Sequence, residues 1–155
     1  MQLTIRQAEQ SDSASLAALF TELGFPASSH DISARLARSG NIGLVAVVDE
    51  HVVGVITTNV MPVLHRPEPV GRISSLVVTK SSHSLGIGRK LVAQAEALLA
   101  SCGCGLVEIT SNFRLERAHE FYKSLGYEAT SYRFKKNLGG TPKDSSNPGP
   151  LFQST

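Results

Sequence analysis

The run Leu76-Val-Val-Thr-Lys-Ser-Ser-His-Ser-Leu-Gly-Ile-Gly-Arg-Lys-Leu91 constrains the fold more than any other part of the chain. Leu76, Val77 and Val78 are apolar and read as a buried strand. A short polar loop follows, and Gly86 and Gly88 then open a helix. Such a junction points several unpaired backbone N–H groups at one spot, and the helix dipole makes that spot attractive to anions. Glycines let a ligand approach the backbone with no Cβ in the way. The junction predicts a bound phosphate or pyrophosphate. The competing reading is a tight strand-to-helix turn with no ligand. It is not a Walker A loop, because no Gly-Lys-Ser/Thr follows at the required spacing.

The rest of the chain supplies a frame for this junction. Residues 2–7 alternate and read as a first strand. Ser11 or Asp12 can cap a helix carrying Leu16, Leu19, Phe20 and Leu23, which Gly24 stops. Ser28 or Ser29 can start a second, short helix that ends near Gly40. Residues 42–49 and 52–61 form strands joined by a tight turn at Asp49-Glu50-His51, and a Pro-rich loop, Pro62 to Pro69, leads to a strand at 71–79. The helix opened by the glycines carries Leu91, Val92, Ala95, Leu98 and Leu99 and ends at Gly103. A strand at 106–110, a helix at about 115–125 closed by Gly126, and a last strand from Tyr127 to about Lys136 complete the series. The order β-α-α-β-β-β-α-β-α-β predicts an α/β fold with a mixed sheet. Strict βαβ alternation is missing, which disfavours a dinucleotide-binding Rossmann fold. Residues 139–155 have the Gly, Pro and Ser content of a flexible tail, leaving residues 1–138 as the domain.

Composition excludes several classes. The chain has 155 residues, which fits one domain at roughly 100–200 residues each. A formal charge of +2 is too small to argue for nucleic acid as a partner. No run of about 18 apolar residues exists, so no membrane span is expected. The start of the chain lacks a basic and apolar leader. Cys102 and Cys104, one residue apart, make a poor disulfide and at best half a metal site. Two reduced cysteines and no metal, in the cytoplasm, are the expectation.

The second half sharpens the reading of the junction. Ile109-Thr-Ser-Asn112 leads through Arg117-Ala-His-Glu-Phe-Tyr122 to Leu125-Gly126-Tyr127-Glu128. With His83-Ser84-Leu85-Gly86-Ile87-Gly88, these residues resemble the GNAT superfamily of acetyl-CoA-dependent N-acetyltransferases. That family has Arg/Gln-x-x-Gly-x-Gly/Ala at its strand-to-helix junction, then an Asn after the fifth strand, Ala-x-x-Phe-Tyr, and Gly-Phe/Tyr. Asn112, Ala118, Phe121, Tyr122, Gly126 and Tyr127 match the later positions. His83 stands where Arg or Gln is usual. The backbone donors of the loop survive that departure, but a side chain that shapes the loop differs, so the departure bears on how tightly the cofactor is held. The segment from Thr110 to Leu138 looks rather like the aminoalkylphosphonate N-acetyltransferases.

The resemblance implies acetyl-CoA as co-substrate and a primary amine of a small molecule as acceptor. Amides from Leu85 to Lys90 would cradle the pyrophosphate, with Arg89 and Lys90 adding charge or merely facing solvent. The pantetheine would pair with Leu76 and Val78 by strand addition, and the Val78 amide would serve as oxyanion donor. Tyr122 would protonate the departing thiolate, as general acid; by spacing alone it reads as a core tyrosine. Asn112 would bond the pantetheine; as a bare residue it reads as a cap or turn. His119, three residues before Tyr122, can face either the cofactor or solvent. The acceptor would meet the segment from Glu22 to Arg35 and the Pro62–Pro69 loop, with Phe25, His30, Ser74 and His65 the leading contacts and Arg66 beside them. Ser74 and Ser75 otherwise bond a neighbouring strand. The general base stays open among Glu68, Glu22, Asp31, His30 and Glu116. A peptide acceptor and a non-catalytic acyl-CoA-binding module are the alternatives. The exposed edge of the last strand predicts a homodimer.

Overall fold

A computed structural model describes residues 1–38 and 41–139. The elements are β1 (Leu3–Gln7), α1 (Ser13–Leu23), α2 (Ser29–Leu36), β2 (Ile42–Val48), β3 (His51–Met61), β4 (Val70–Val78), α3 (Ile87–Ser101), β5 (Leu106–Ile109) and α4 (Glu116–Ser124). The chain divides into two units, Met1–Ile109 and Thr110–Thr155.

In the first unit, one five-stranded sheet runs in the order β1-β2-β3-β4-β5. Its first four strands pair antiparallel, β2 and β3 through a two-residue turn. Asp49 and Glu50 take φ of 45° and 70°, the pair of left-handed residues that a two-residue hairpin turn requires. His51 belongs to β3 and faces Val48, so the turn is two residues rather than three. Between β4 and β5 the helix α3 crosses over, and these two strands pair parallel.

Two glycines show which face α3 covers. A Cβ on Gly71 would stand 2.9 Å from Leu99 Cδ1, and one on Gly54 would stand 3.2 Å from Leu91 Cδ1. Leu91, Val92, Ala95 and Leu99 of α3 are fully buried there, each leucine contributing roughly 1.5–3 kcal/mol. The opposite face holds Val45, Val55 and Val77, which pack with Leu16, Ala17 and Leu19 of α1 and with Ile32 of α2. Alternation along the strands then places Thr57 and Arg72 on this second face. The β3–β4 register shifts at Thr57/Thr58: Ser75 faces Thr57 and Ile73 faces Thr58, leaving Ser74 as an extra residue in a bulge.

Four local expectations are corrected. Neither Ser11 nor Asp12 caps α1 with its side chain: Asp12 precedes the helix with no side-chain cap bond. Its carboxylate is spent elsewhere, on Arg6 at 2.8 and 2.9 Å and on the Glu9 amide at 2.8 Å. Ser28, by contrast, caps α2 as expected by accepting from the Asp31 amide. The helix expected after Gly88 begins at Ile87. The last strand, Tyr127 to Lys136, does not form. Tyr132 and Phe134 alternate in sequence, yet they are exposed at 89% and 82%. A side-chain period alone makes no strand; among the described residues this segment joins no ladder of the sheet. The homodimer expectation rested on that strand and loses its premise. The second helix, expected to run to near Gly40, ends at Leu36 with Ala37 as its C-cap. Gly40 itself and the 139–155 tail, apart from Gly139, lie outside the described residues.

The Arg6–Asp12 pair yields a stability prediction. Hydrogen bonding to Arg6 holds the Asp12 carboxyl below the usual carboxylate range, against the opposing effect of burial. A depressed pKa means the stabilisation is complete above the unfolded value near 3.9 and is lost as pH falls through the folded value. Asp12→Asn is expected to cost about 1–2 kcal/mol, moderated because Arg6 is partly wet, and to flatten the acid limb of stability against pH. Urea unfolding from pH 7 down to pH 2 checks this; an unchanged acid limb would refute it.

Candidate active site

The site begins with what β5 leaves undone. It pairs with β4 only from Val70 to Ile73 and stops at Ile109. From Ser74 to Val78, β4 therefore has no strand partner on that edge. The Thr79 amide donates to the Val53 carbonyl at 2.8 Å, on the β3 side. Alternation turns the N–H and C=O of Val78 and of Leu76 to the other, open edge. An extended ligand can pair there as an added strand.

The open edge runs into the glycine loop. Gly86 takes φ of 72°, a conformation that side-chain-bearing residues rarely adopt, and caps α3. Ile87 is buried to 1% exposure and anchors the first turn in the core. The first helical hydrogen bond runs from the Lys90 amide to the Gly86 carbonyl at 3.2 Å. The Lys90 amide is thereby consumed, which corrects its inclusion among the cradle donors. The amides ahead of it, those of Ile87 and Gly88 among them, point out of the helix end. A Cβ added at Gly86 would meet nothing within 4 Å, so the space before the loop is open. Ser84 and Leu85 of the loop are exposed, as are the side chains of Arg89 and Lys90.

His83 has a definite task in this arrangement. Its Nε2 lies 2.6 Å from the Val78 carbonyl oxygen. The ring ties the loop back to the end of β4 and engages the Val78 carbonyl, while the Val78 N–H stays available.

The acceptor candidates separate along β4. Thr79 Oγ1 donates to Glu22 Oε1 at 2.9 Å, so the end of α1 and one base candidate sit beside the C-terminal end of β4. Phe25, 69% exposed, follows directly, and His30 is exposed on the short α2. Glu68 lies at the opposite end of the strand, where its side chain neighbours Gly105. A shallow hollow there is lined by Arg66, Glu68, Pro69, Gly105 and Leu106. β4 has nine residues, so its ends stand about 26 Å apart at about 3.3 Å per step. Arg66 and Glu68 therefore stand at the end of β4 away from the glycine loop; His65 is exposed in the same loop. Ser74 is at the bulge between these ends, its hydroxyl 2.8 Å from Thr57 Oγ1.

In the second unit, Asn112 starts the turn into α4. Its Oδ1 accepts from the Arg114 amide at 2.9 Å, and its carbonyl accepts from the Leu115 amide. His119 Nε2 also meets that carbonyl, at 2.8 Å, so the ring is turned back on the turn. Nδ2 of Asn112 makes no hydrogen bond among the described residues and is left to offer a ligand. Ala118, Phe121 and Tyr122 are half-buried on one side of α4, and Glu116 at its start is exposed. The Tyr122 ring sits edge-on to Phe121 at 5.3 Å and to Tyr127 at 6.0 Å. Its hydroxyl makes no hydrogen bond among the described residues. Desolvation pushes the phenol up from its ordinary value, so it holds its proton throughout the neutral range.

One feature of the first unit escapes sequence reasoning. Arg72, in the part of β4 that pairs with β5, is buried at 7% exposure on the face opposite α3. The single charge in the strand Val70 to Val78 was the signal that could have found it.

The model of the acetyltransferase (GNAT) family matches residues 7–127. The chain is 31% identical over 139 residues to the aminoalkylphosphonate N-acetyltransferase of Salmonella typhimurium, covering 86% of this chain and 90% of that protein. This similarity extends well beyond the C-terminal third. Among solved structures, an acetyltransferase of Trypanosoma brucei superposes with a TM-score of 0.78 at 28% identity, over 88% of this chain and all of that one. An aminoglycoside acetyltransferase from an uncultured soil metagenomic sample, in complex with sisomicin, superposes with a TM-score of 0.75 at 21% identity, over 88% and 96% of the two chains.

Proposed function

Since the chain belongs to the GNAT acetyltransferase family, we propose that it transfers the acetyl group of acetyl-CoA to a primary amine of a small molecule, by direct attack within a ternary complex. The observation that carries this reading is the open β4 edge followed, across the Lys80–Ser82 turn and the His83 tie, by a glycine-capped helix N-terminus. The pyrophosphate takes the helix end, where the dipole and the leading amides stabilise its charge. The pantetheine amides then run back along β4, pairing first at Val78 and then at Leu76.

This direction moves the chemistry. The thioester lies at the far end of the pantetheine, so it reaches Leu76 and the bulge at Ser74 rather than Val78. The Leu76 N–H, not the Val78 N–H, is the oxyanion donor in this reading. A donor held rigidly by strand pairing stabilises the developing negative charge without reorganising. Tyr122 protonates the departing thiolate; its raised pKa and unengaged hydroxyl support that role. The functional unit is taken as residues 1–138, because the family match crosses both structural units.

Support for a small acceptor comes from the name of the 31% identical relative, which states an aminoalkylphosphonate. Thiol release with 5,5′-dithiobis(2-nitrobenzoate) measures turnover across a panel of small primary amines and N-terminal peptides. At least one small amine is expected to release CoA well above the rate in water alone. Release with peptides and with no small amine would overturn the choice of acceptor class.

A further inference from the structure

The second sheet face is apolar under α1 and α2 and becomes polar at the β4 bulge. There Thr57 of β3 meets Ser74 and Ser75 of β4. Thr57 Oγ1 lies 2.8 Å from Ser74 Oγ and 2.5 Å from Ser75 Oγ, and Ser74 Oγ donates to the Thr57 carbonyl at 3.2 Å. Three hydroxyls carry three protons, and a single arrangement makes all three bonds. A carbonyl only accepts, so the Ser74 proton goes to the Thr57 carbonyl. The Thr57 proton must then make the bond to Ser74, and the Ser75 proton the bond to Thr57. Donation therefore runs from Ser75 to Thr57, from Thr57 to Ser74, and from Ser74 to the carbonyl.

This assignment fixes what the cluster can offer. No hydroxyl proton is left over for a ligand. Ser74 Oγ has used its proton and one lone pair, and among the described residues its second lone pair has no partner. Ser74 is exposed, whereas Thr57 and Ser75 are half-buried. Ser74 is also the extra residue of the bulge, paired in neither the β3–β4 nor the β4–β5 register. The cluster thus presents an oxygen that accepts a hydrogen bond and cannot donate one without breaking another. The cluster itself is uncharged, and Arg72, two residues earlier, is offset by Glu108 at 3.8 Å. A neutral acceptor oxygen can hold a free amine, the form that keeps its lone pair for attack, without stabilising the ammonium ion as a carboxylate would.

We propose that Ser74 Oγ accepts an N–H of the attacking amine, with Thr57 and Ser75 behind it as positioning residues that keep its own proton turned away from the nitrogen. This rests on the proposed acetyltransferase reading, which sets the thioester at Leu76, beside the bulge. In the transfer the nitrogen lone pair forms the C–N bond as the C–S bond breaks. The thiolate takes the Tyr122 proton, one amine proton leaves to water, and the phenolate is reprotonated from water. The other N–H stays on Ser74 throughout. Two N–H groups are then needed, one to lose and one to keep, which selects a primary amine over its N-methyl derivative.

The test takes the fastest acceptor of the amine panel and its N-methyl derivative, with the native protein, Ser74→Ala, Ser74→Thr and Thr57→Val. Acetyl-CoA affinity is read separately by calorimetry. The native protein is expected to favour the primary amine by at least about tenfold in kcat/KM, and Ser74→Ala to narrow that preference by about tenfold with acetyl-CoA affinity unchanged. Ser74→Thr keeps the hydroxyl and should recover most of the preference. Thr57→Val keeps the shape of the side chain but frees the Ser74 proton arrangement, and should lose about threefold. A preference unchanged in Ser74→Ala, or lost equally in Ser74→Ala and Ser74→Thr, overturns the subsite while leaving the acetyltransferase reading intact. If no amine releases CoA, that reading falls, and propylamine titrated into the CoA-loaded protein decides the subsite alone. Binding lost in Ser74→Ala and kept in Ser74→Thr supports it; no binding to the native protein, or binding unchanged in Ser74→Ala, overturns it.

Discussion

Gly86→Val is expected to weaken acetyl-CoA binding at least about a hundredfold, with a much smaller loss of stability. Two effects act at once. The left-handed φ of 72° costs a side-chain-bearing residue about 1–2 kcal/mol, and a β-branched one is the worst suited. That part is a stability effect, and it is modest because a Cβ there meets no protein atom within 4 Å. The same empty space is where the pyrophosphate is proposed to sit, so the isopropyl group displaces the ligand rather than the core. Thermal unfolding and acetyl-CoA titration, measured on one preparation, separate the two. Unchanged affinity in a folded variant would refute the placement of the loop.

Tyr122→Phe is expected to lower kcat by about a hundredfold or more while acetyl-CoA affinity changes little. The ring packing against Phe121 and Tyr127 survives, because phenylalanine keeps the same edge contacts. Only the proton donor is lost. Burial raises the phenol pKa above its ordinary value, so the hydroxyl stays protonated at neutral pH and ionises only at a higher pH than an exposed tyrosine. The sign follows: in the native enzyme this group causes a decline of kcat only at strongly alkaline pH, and the variant lacks that decline. Equal losses in kcat and in acetyl-CoA binding would count against proton donation and for a packing role.

Much of the local backbone was legible. Gly24, Gly86, Gly103 and Gly126 all take left-handed conformations at or beside helix ends, as their positions after or before periodic apolar stretches suggested. Ser28 caps its helix, and the Asp49-Glu50 turn closes its hairpin. Where a residue had two possible partners, sequence reasoning went wrong. Asp12 had the composition and place of a cap, but Arg6, brought alongside by β1, offered a charged double hydrogen bond. Tyr127 to Lys136 had strand-like alternation but joins no ladder of the sheet. In the site, the glycine loop and Tyr122 stood out as motifs, whereas Arg72 did not.

The sequence by itself determined the glycine-capped start of α3, the antiparallel hairpin and the apolar helix that buries against the sheet. These depend on φ preferences, capping groups and side-chain period, which act between residues a few positions apart. The tertiary structure decided the rest of the site. It ended β5 at Ile109 and so left the edge from Ser74 to Val78 open. It turned Leu76 and Val78 toward that edge, tied His83 to the Val78 carbonyl, and buried Arg72 without hydrogen bonds. Pairing partners, exposed edges and burial are properties of the assembled sheet, set by elements distant in the chain, and no local pattern carries them.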